Sequence, residues 1–339
     1  MSKITVTVCC ITYNHAKFVR ECLNGIVEQE TDFVFDVLIH DDASTDGTTD
    51  IVKEYIDKYP DLFVPMLEKE NQYSQGKRSI LIQLMLGKAR GEYIAVCEGD
   101  DFWCDRHKLQ KQFELLQKHK NCNMCTHEVE IIRENGSDLG EKIPQRHVPY
   151  GEMEGKRLIE YLAYEDTHLF HTSSMFFEKK VIADELENMP YFLTATAAED
   201  RALFLYYASK GNIFYTNECM SKYRIQTEGS WSKKNLESKQ HAFGTDKELL
   251  QMINDFHAYT KGQFEKEVYA YQTILNFRIF QYERKFKELL NVRYAKLFQK
   301  LGAKQKIYYR ICAYFPLIGD FYYKVKKLLK RSENKLKEE

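Results

Sequence analysis

The sequence predicts an α/β protein: a mostly parallel sheet flanked by helices, followed by an α-helical C-terminal region. Three observations carry this. Short apolar, β-branched runs alternate with helical patterns over residues 4–97, the signature of parallel strands joined by crossover helices. Several of those runs end in polar or acidic turns, where open α/β sheets hold ligands. From about residue 236 strand signals cease, and no proline occurs until Pro316.

Element by element, residues 4–11 read as a strand ended by Tyr13-Asn14, and residues 16–29 as a helix with Phe18, Cys22, Ile26 and Val27 at helical spacing. Residues 33–39 form the next strand, closed by Asp41-Asp42-Ala43-Ser44-Thr45-Asp46-Gly47. A helix over 48–59 stops at Pro60, and 62–67 is a short strand. Residues 79–88 read as helix and 93–97 as a strand that runs into Glu98-Gly99-Asp100-Asp101. A helix is expected over 108–118, strands over 123–132 and 169–177, and a helix over 199–209. Short strands follow over 212–215 and 219–225.

Composition narrows the class. The 339 residues are 44% hydrophobic and 29% charged, too apolar for disorder and too charged for an integral membrane protein. No run approaches the ~18 apolar residues that span a bilayer. The N-terminus has no apolar signal region, and the nine cysteines are scattered, which together lead us to expect reduced thiols and a cytoplasmic protein. The near-neutral net charge of −1 hides an asymmetry: residues 1–232 carry 26 basic and 38 acidic residues, and 233–339 carry 23 and 12. That shift sets a domain boundary at 232, with a first half over 1–104, a second over 105–232, and a basic, aromatic-rich helical region over 233–339.

The acidic turns are the chemical signal. Glu98-Gly99-Asp100-Asp101 puts three carboxylates in four residues directly after an apolar strand. Such a cluster is costly unless solvated, paired or holding a cation, and hard oxygen ligands suit Mg²⁺ or Mn²⁺ beside phosphates. The plain alternative is a solvated acidic cap on the next helix. The Asp41–Gly47 run has the same two readings. Phosphate-loop, dinucleotide-fingerprint, nucleophile-elbow and zincin motifs are absent. Cys122-Asn123-Met124-Cys125 has no second pair at zinc spacing and reads as buried thiols in a strand.

In order along the chain, Thr12-Tyr13-Asn14, Asp41-Asp42-Ala43-Ser44-Thr45-Asp46-Gly47-Thr48 and Gly91-Glu92-Tyr93-Ile94 with Glu98-Gly99-Asp100-Asp101-Phe102-Trp103 stand out. Glu199-Asp200 and Tyr223-Arg224-Ile225-Gln226 with Gly229-Ser230-Trp231-Ser232 follow. These resemble glycosyltransferase family 2, the inverting GT-A-fold enzymes common in bacterial surface-polysaccharide synthesis, over roughly residues 4–232. The resemblance implies a nucleotide-sugar donor, a UDP-sugar first, and a glycan or lipid-linked saccharide as acceptor. The transferred group would be a hexosyl or N-acetylhexosaminyl unit. It implies that Tyr13 stacks on the nucleobase, that Asp42 accepts from the uracil ring N–H with Asp41 as fallback, and that Arg78 lies near base or phosphates. Glu98 would face the ribose, Asp100 a divalent Mn²⁺ or Mg²⁺ with Asp101 assisting, and Asp200 would be the general base. One departure is Gln226, where relatives carry a metal- or diphosphate-binding His; a glutamine amide is a weaker ligand.

Two other readings share the sequence: a sugar-nucleotidyltransferase, which lacks its Gly-rich N-terminal signature here, and a non-catalytic scaffold on the membrane. The C-terminal run 307–323 is dense in aromatics and is followed by five basic residues within 324–331. Rings at headgroup level beside lysines describe a peripheral attachment to an anionic membrane surface. The alternative is a helical hairpin packing its aromatics inward. Nucleic acid is not an expected partner, because the lysines alternate with Tyr, Phe and Leu.

Overall fold

The computed structural model describes residues 3–165, 169–194, 196, 198–225, 227 and 231–318. The chain divides into two compact units, Met1–Val268 and Tyr269–Glu339. The first is built on a ten-stranded sheet. Its first strands are β1 (Val6–Thr12), β2 (Phe35–Asp41), β3 (Phe63–Leu67), β4 (Tyr93–Glu98) and β5 (Phe102–Trp103). They are followed by β6 (Cys122–Ile132), β7 (Asp138–Ile143), β8 (Gly151–Met153), β9 (Phe176–Glu178) and β10 (Asn212–Arg224). The order is β3-β2-β1-β4-β9-β6-β10-β5, with β7 on β6 and β8 on β10. β3, β2, β1 and β4 are mutually parallel, β9 is antiparallel to both its neighbours, and β6 and β10 are parallel.

The first unit's helices are α1 (Val19–Val27), α2 (Thr48–Lys58), α3 (Lys108–Lys118), α4 (Gly155–Glu165), α5 (Lys180–Ala183), α6 (Tyr191–Thr194), α7 (Glu199–Lys210), α8 (Trp231–Glu237) and α9 (Lys239–Tyr259). β1 is buried along nearly its whole length, as a strand covered on both faces must be. α1 buries Val19, Cys22, Leu23 and Ile26, one stripe at i, i+3, i+4 and i+7. Pro65 sits in β3, the sheet's edge, where its missing N–H costs no ladder bond. Gly91 has a specific reason: a Cβ there would lie 2.3 Å from the Thr7 backbone nitrogen, and its own N–H donates to the Thr7 hydroxyl at 2.8 Å. All nine cysteines are free thiols.

Three sequence expectations change. The strand expected over 169–177 is a 3-10 turn, Thr172–Ser174, and then short β9. His171 diverts the backbone, its ring nitrogen accepting from the Ser173 N–H and its carbonyl from the Ser174 hydroxyl. The helix expected over 79–88 is a π-helical turn, Leu81–Met85, entered through Ser79 at φ +53°. The two strands expected over 212–225 are one, β10, whose register against β6 slips between Thr216 and Cys219. Separately, the compact division of the chain follows Val268. α9 buries Leu249, Met252, Ile253 and Phe256 in the first unit, with Phe256 against Phe192 of α6.

The second unit contains most of α10 (Glu265–Tyr282), together with α11 (Ala295–Lys300) and α12 (Ala303–Tyr314), around Phe277, Phe286, Leu289, Tyr294, Phe298, Tyr309 and Cys312. Among the described residues no helix is long and apolar enough to cross a membrane.

α3 holds an unusual buried cation. The Lys108 ammonium is fully buried, 2.6 Å from Gln112 Oε1 and 4.1 Å from the Trp103 ring centroid, and burial pushes it down to about 7 from an ordinary 10.5. Between those values the unfolded chain binds a proton that the folded chain does not, so this group makes stability rise with pH, by at most ~1.4 kcal/mol per unit. Urea denaturation at pH 7 and pH 9 should show wild type gaining stability relative to Lys108→Met as pH rises. An identical pH dependence in both would mean that Lys108 stays charged in the fold.

Candidate active site at the carboxyl edge of the sheet

β1, β2 and β4 end side by side, with Thr12 opposite Asp41 and Ile11 opposite Glu98. The turns that follow are laced together. Asn14, at φ +55°, accepts from the Thr45 N–H at 2.8 Å and donates its own N–H to the Ser44 hydroxyl at 2.9 Å. The His15 N–H donates to the Thr48 hydroxyl at 2.8 Å and the Ala16 N–H to Asp46 at 2.9 Å. Thus the Ser-Thr-Asp-Gly-Thr run binds the first turn to the start of α2 and leaves Tyr13 exposed at the strand end.

Asp41 is buried inside this lacing. It accepts from the Ser44 N–H at 3.2 Å and hydroxyl at 2.5 Å, and from the Thr49 hydroxyl. Its carboxylate is therefore engaged within the fold, where it holds the turn. Asp42, also buried, accepts from the Gln72 N–H at 2.6 Å and the Tyr73 N–H at 3.1 Å, and each oxygen keeps a second acceptor position. It orients the loop whose Tyr73 ring carries the half-buried Arg78 guanidinium 4.5 Å above its centroid.

The carboxylate cluster follows β4. Gly99 is required by its neighbours: a Cβ there would lie 2.5 Å from Thr12 Oγ1 and 2.9 Å from His15 Nδ1. Asp100 Oδ2 accepts from the Thr227 hydroxyl at 3.2 Å and lies 3.8 Å from His15 Nε2. Asp101 is fully buried; Oδ1 accepts from the Arg224 N–H at 2.9 Å, while Oδ2 has no hydrogen-bond partner among the described residues and lies 3.6 Å from His171 Nδ1. Ligand atoms of Glu98, Asp101 and His171 all fall within 4.8 Å of one another. Burial, then the charge of Asp100, of Asp200 and of Glu199, pushes the Glu98 carboxyl up to about 8, against the Thr172 hydroxyl that holds it down. Burial and the Asp100 and Glu98 charges likewise push Asp101 well above the usual carboxylate range. Uncompensated repulsion of this kind is relieved by a cation, and the orphaned Asp101 oxygen beside an imidazole fits one.

α7 contributes Glu199 and Asp200, which sit in different surroundings. Glu199 accepts from the Ile82 N–H at 2.6 Å and the Leu81 N–H at 3.3 Å, so it caps the π-helical turn; its burial drives it to about 8. Asp200 is partly buried and close enough to Glu98 to raise it.

Arg224, at the end of β10, is the clamp of the site. It is 3% exposed and donates to Glu21 at 2.6 Å, to the Asp100 carbonyl at 3.1 Å and to the Glu134 carbonyl at 3.1 Å, over the Phe18 ring at 4.7 Å. One guanidinium thus ties α1, the acidic loop and the β6–β7 turn to β10.

Of the residues singled out in the sequence, the structure gathers Asp41, Asp42, Glu98, Asp100, Asp101 and Asp200 at one sheet edge, with Tyr13 exposed beside it. Arg78 lies on the neighbouring loop, and Gln226 lies outside the described residues. Trp103 is core, its indole N–H donating to the Ser173 carbonyl at 3.2 Å. His15 and His171 were not legible, because neither has a ligand-like spacing; only the fold carries them to the acidic loop.

Comparison with known proteins agrees with this geometry. Residues 7–185 match the family model described as glycosyl transferase family 2. An uncharacterized protein of Mycobacterium tuberculosis H37Rv is 33% identical over 228 residues, 67% of this chain and 60% of its own length. The match therefore spans less than two thirds of that relative. TuaG of Bacillus subtilis, a putative teichuronic acid biosynthesis glycosyltransferase, is 25% identical over 228 residues, 66% of this chain and 80% of its own. Among solved structures, Staphylococcus aureus TarS 1–349 in complex with UDP-GlcNAc superposes with a TM-score of 0.56 at 17% identity, covering 86% of this chain and 78% of that one. At that identity the likeness is one of fold.

Proposed function

The chain belongs to glycosyl transferase family 2 and has its GT-A fold, and from that premise we propose that it transfers a sugar from a nucleotide-diphosphate donor, a UDP-sugar, to a hydroxyl of a glycan or lipid-linked acceptor. The observation that carries this reading is the set of carboxylates at the sheet's carboxyl edge, with a buried Asp101 oxygen that has no hydrogen-bond partner among the described residues. TarS binding UDP-GlcNAc in a like fold supports the choice of a uridine donor and of an N-acetylhexosaminyl unit.

In this proposal Tyr13 stacks on the base and Asp42 accepts from its ring N–H, using the lone pairs that Gln72 and Tyr73 leave open. Arg78 stays near the base or phosphates. Glu98, Asp100, Asp101 and His171 are the groups that would hold Mn²⁺ or Mg²⁺, with Gln226 a further ligand. When bound, such a cation neutralises charge on the diphosphate. Asp200 takes the proton of the acceptor hydroxyl as that oxygen attacks the anomeric carbon opposite the leaving diphosphate. A single displacement with one base inverts the configuration. If the acceptor is lipid-linked, the reaction takes place at a membrane face.

Incubation with UDP-, dTDP- and GDP-sugars, with and without Mn²⁺, tests the reading. Slow hydrolysis of a UDP-sugar, enhanced by Mn²⁺, is the expected result. No donor turnover with any nucleotide, despite measurable UDP binding, would make the protein a non-catalytic scaffold.

A further inference from the structure

α12 has two faces. Tyr309 and Cys312 are buried in the second unit's core, with Tyr308 and Ala313 packed on it. The opposite face is apolar and exposed: Ile307 is 57% and Tyr314 70% accessible, Ile311 is exposed between them, and Phe315, Leu317 and Ile318 continue the surface. At ~100° per residue, 307, 311 and 314 form one stripe, and Lys304 and Arg310 fall about 60° to either side of it. Both cations are exposed. Between residues 289 and 319 the sequence has six basic and no acidic residues, and the basic run within 324–331 follows.

We propose that this stripe is a docking surface for an anionic lipid bilayer, lying in the interface with Ile307, Ile311 and Tyr314 turned to the acyl boundary and Lys304 and Arg310 to the headgroups. The charge pattern selects this occupant. An apolar stripe flanked on both sides by cations, within a stretch from 289 to 319 that has no acidic residue, is complementary to a flat anionic surface. A second copy of the same face would instead bring like charges together along both rims. The inference stands on the second unit alone and does not require the donor chemistry to be right.

The full chain is sedimented with phosphatidylcholine vesicles with and without phosphatidylglycerol, at low and at high salt. It should partition onto the anionic vesicles at low salt and be released by high salt. Ile307→Glu with Tyr314→Glu, and separately Lys304→Glu with Arg310→Glu, should each lower partition at least about tenfold, because each removes burial or attraction worth more than ~1.4 kcal/mol. Unchanged far-ultraviolet dichroism and unchanged UDP binding in both variants keep folding and donor chemistry separate from the readout. Equal partition onto neutral vesicles, no partition of the wild type, or full partition of both variants would overturn the proposal. So would light scattering that shows a wild-type dimer made monomeric by the Ile307/Tyr314 pair, since a second copy would then cover the stripe.

Discussion

Asp100→Ala is expected to abolish transfer while leaving the protein folded, with a loss of at least about a thousandfold, equivalent to several kcal/mol of charge stabilisation. The fold should survive because the clamp uses the Asp100 backbone: Arg224 Nε donates to its carbonyl, which alanine retains. Among the described residues the side chain accepts from the Thr227 hydroxyl and lies 3.8 Å from His15 Nε2, and its charge raises both Glu98 and Asp101. Removing it therefore relieves repulsion in the apo protein. UDP binding should lose its Mn²⁺-dependent increment and keep the rest, as read by calorimetry with and without the metal. Undiminished activity would take Asp100 out of the metal assignment. The neighbouring change, Asp101→Ala, is a poorer test, because it also strands the buried Arg224 N–H.

Much of this could be read in the sequence because the relevant signals are local. The apolar runs of β1, β2 and β4 and the acidic turns after them are contiguous, so both the sheet edge and its carboxylates were visible in order. What local pattern could not give was the division of labour among neighbouring acids. Asp41 and Asp42 are adjacent and alike in sequence, yet one turns into Ser44 and Thr49 and the other toward the loop at 72–73. Glu199 and Asp200 are similarly paired, and only the π-helical turn, far away in the chain, shows which of them caps backbone N–H groups. His171 is the clearest omission. Its residue type suggested nothing at that spacing, and it replaced an expected strand by a turn through its own hydrogen bonds. Arg224 was visible as part of a motif but not as a clamp, since its partners lie at Glu21, Asp100 and Glu134.

Asp200→Asn should lower turnover by roughly 10²–10⁴-fold, the usual worth of a positioned general base, with donor affinity nearly unchanged. Asparagine keeps the shape and the hydrogen-bonding oxygen but cannot take the acceptor's proton. The prediction is specific to this residue because Glu199, beside it, already has both oxygens on the Leu81 and Ile82 N–H groups. Glu199→Gln would disturb that capped turn and should show first as a lower thermal midpoint. Asp200→Asn should leave the midpoint near wild type and act on kcat. The two variants therefore separate base from scaffold within one dipeptide. If Asp200→Asn instead weakened UDP binding at normal turnover, Asp200 would be holding the donor side of the site and the base would have to be sought elsewhere. If both variants lowered the midpoint equally and neither changed kcat in the folded fraction, the pair would be structural throughout.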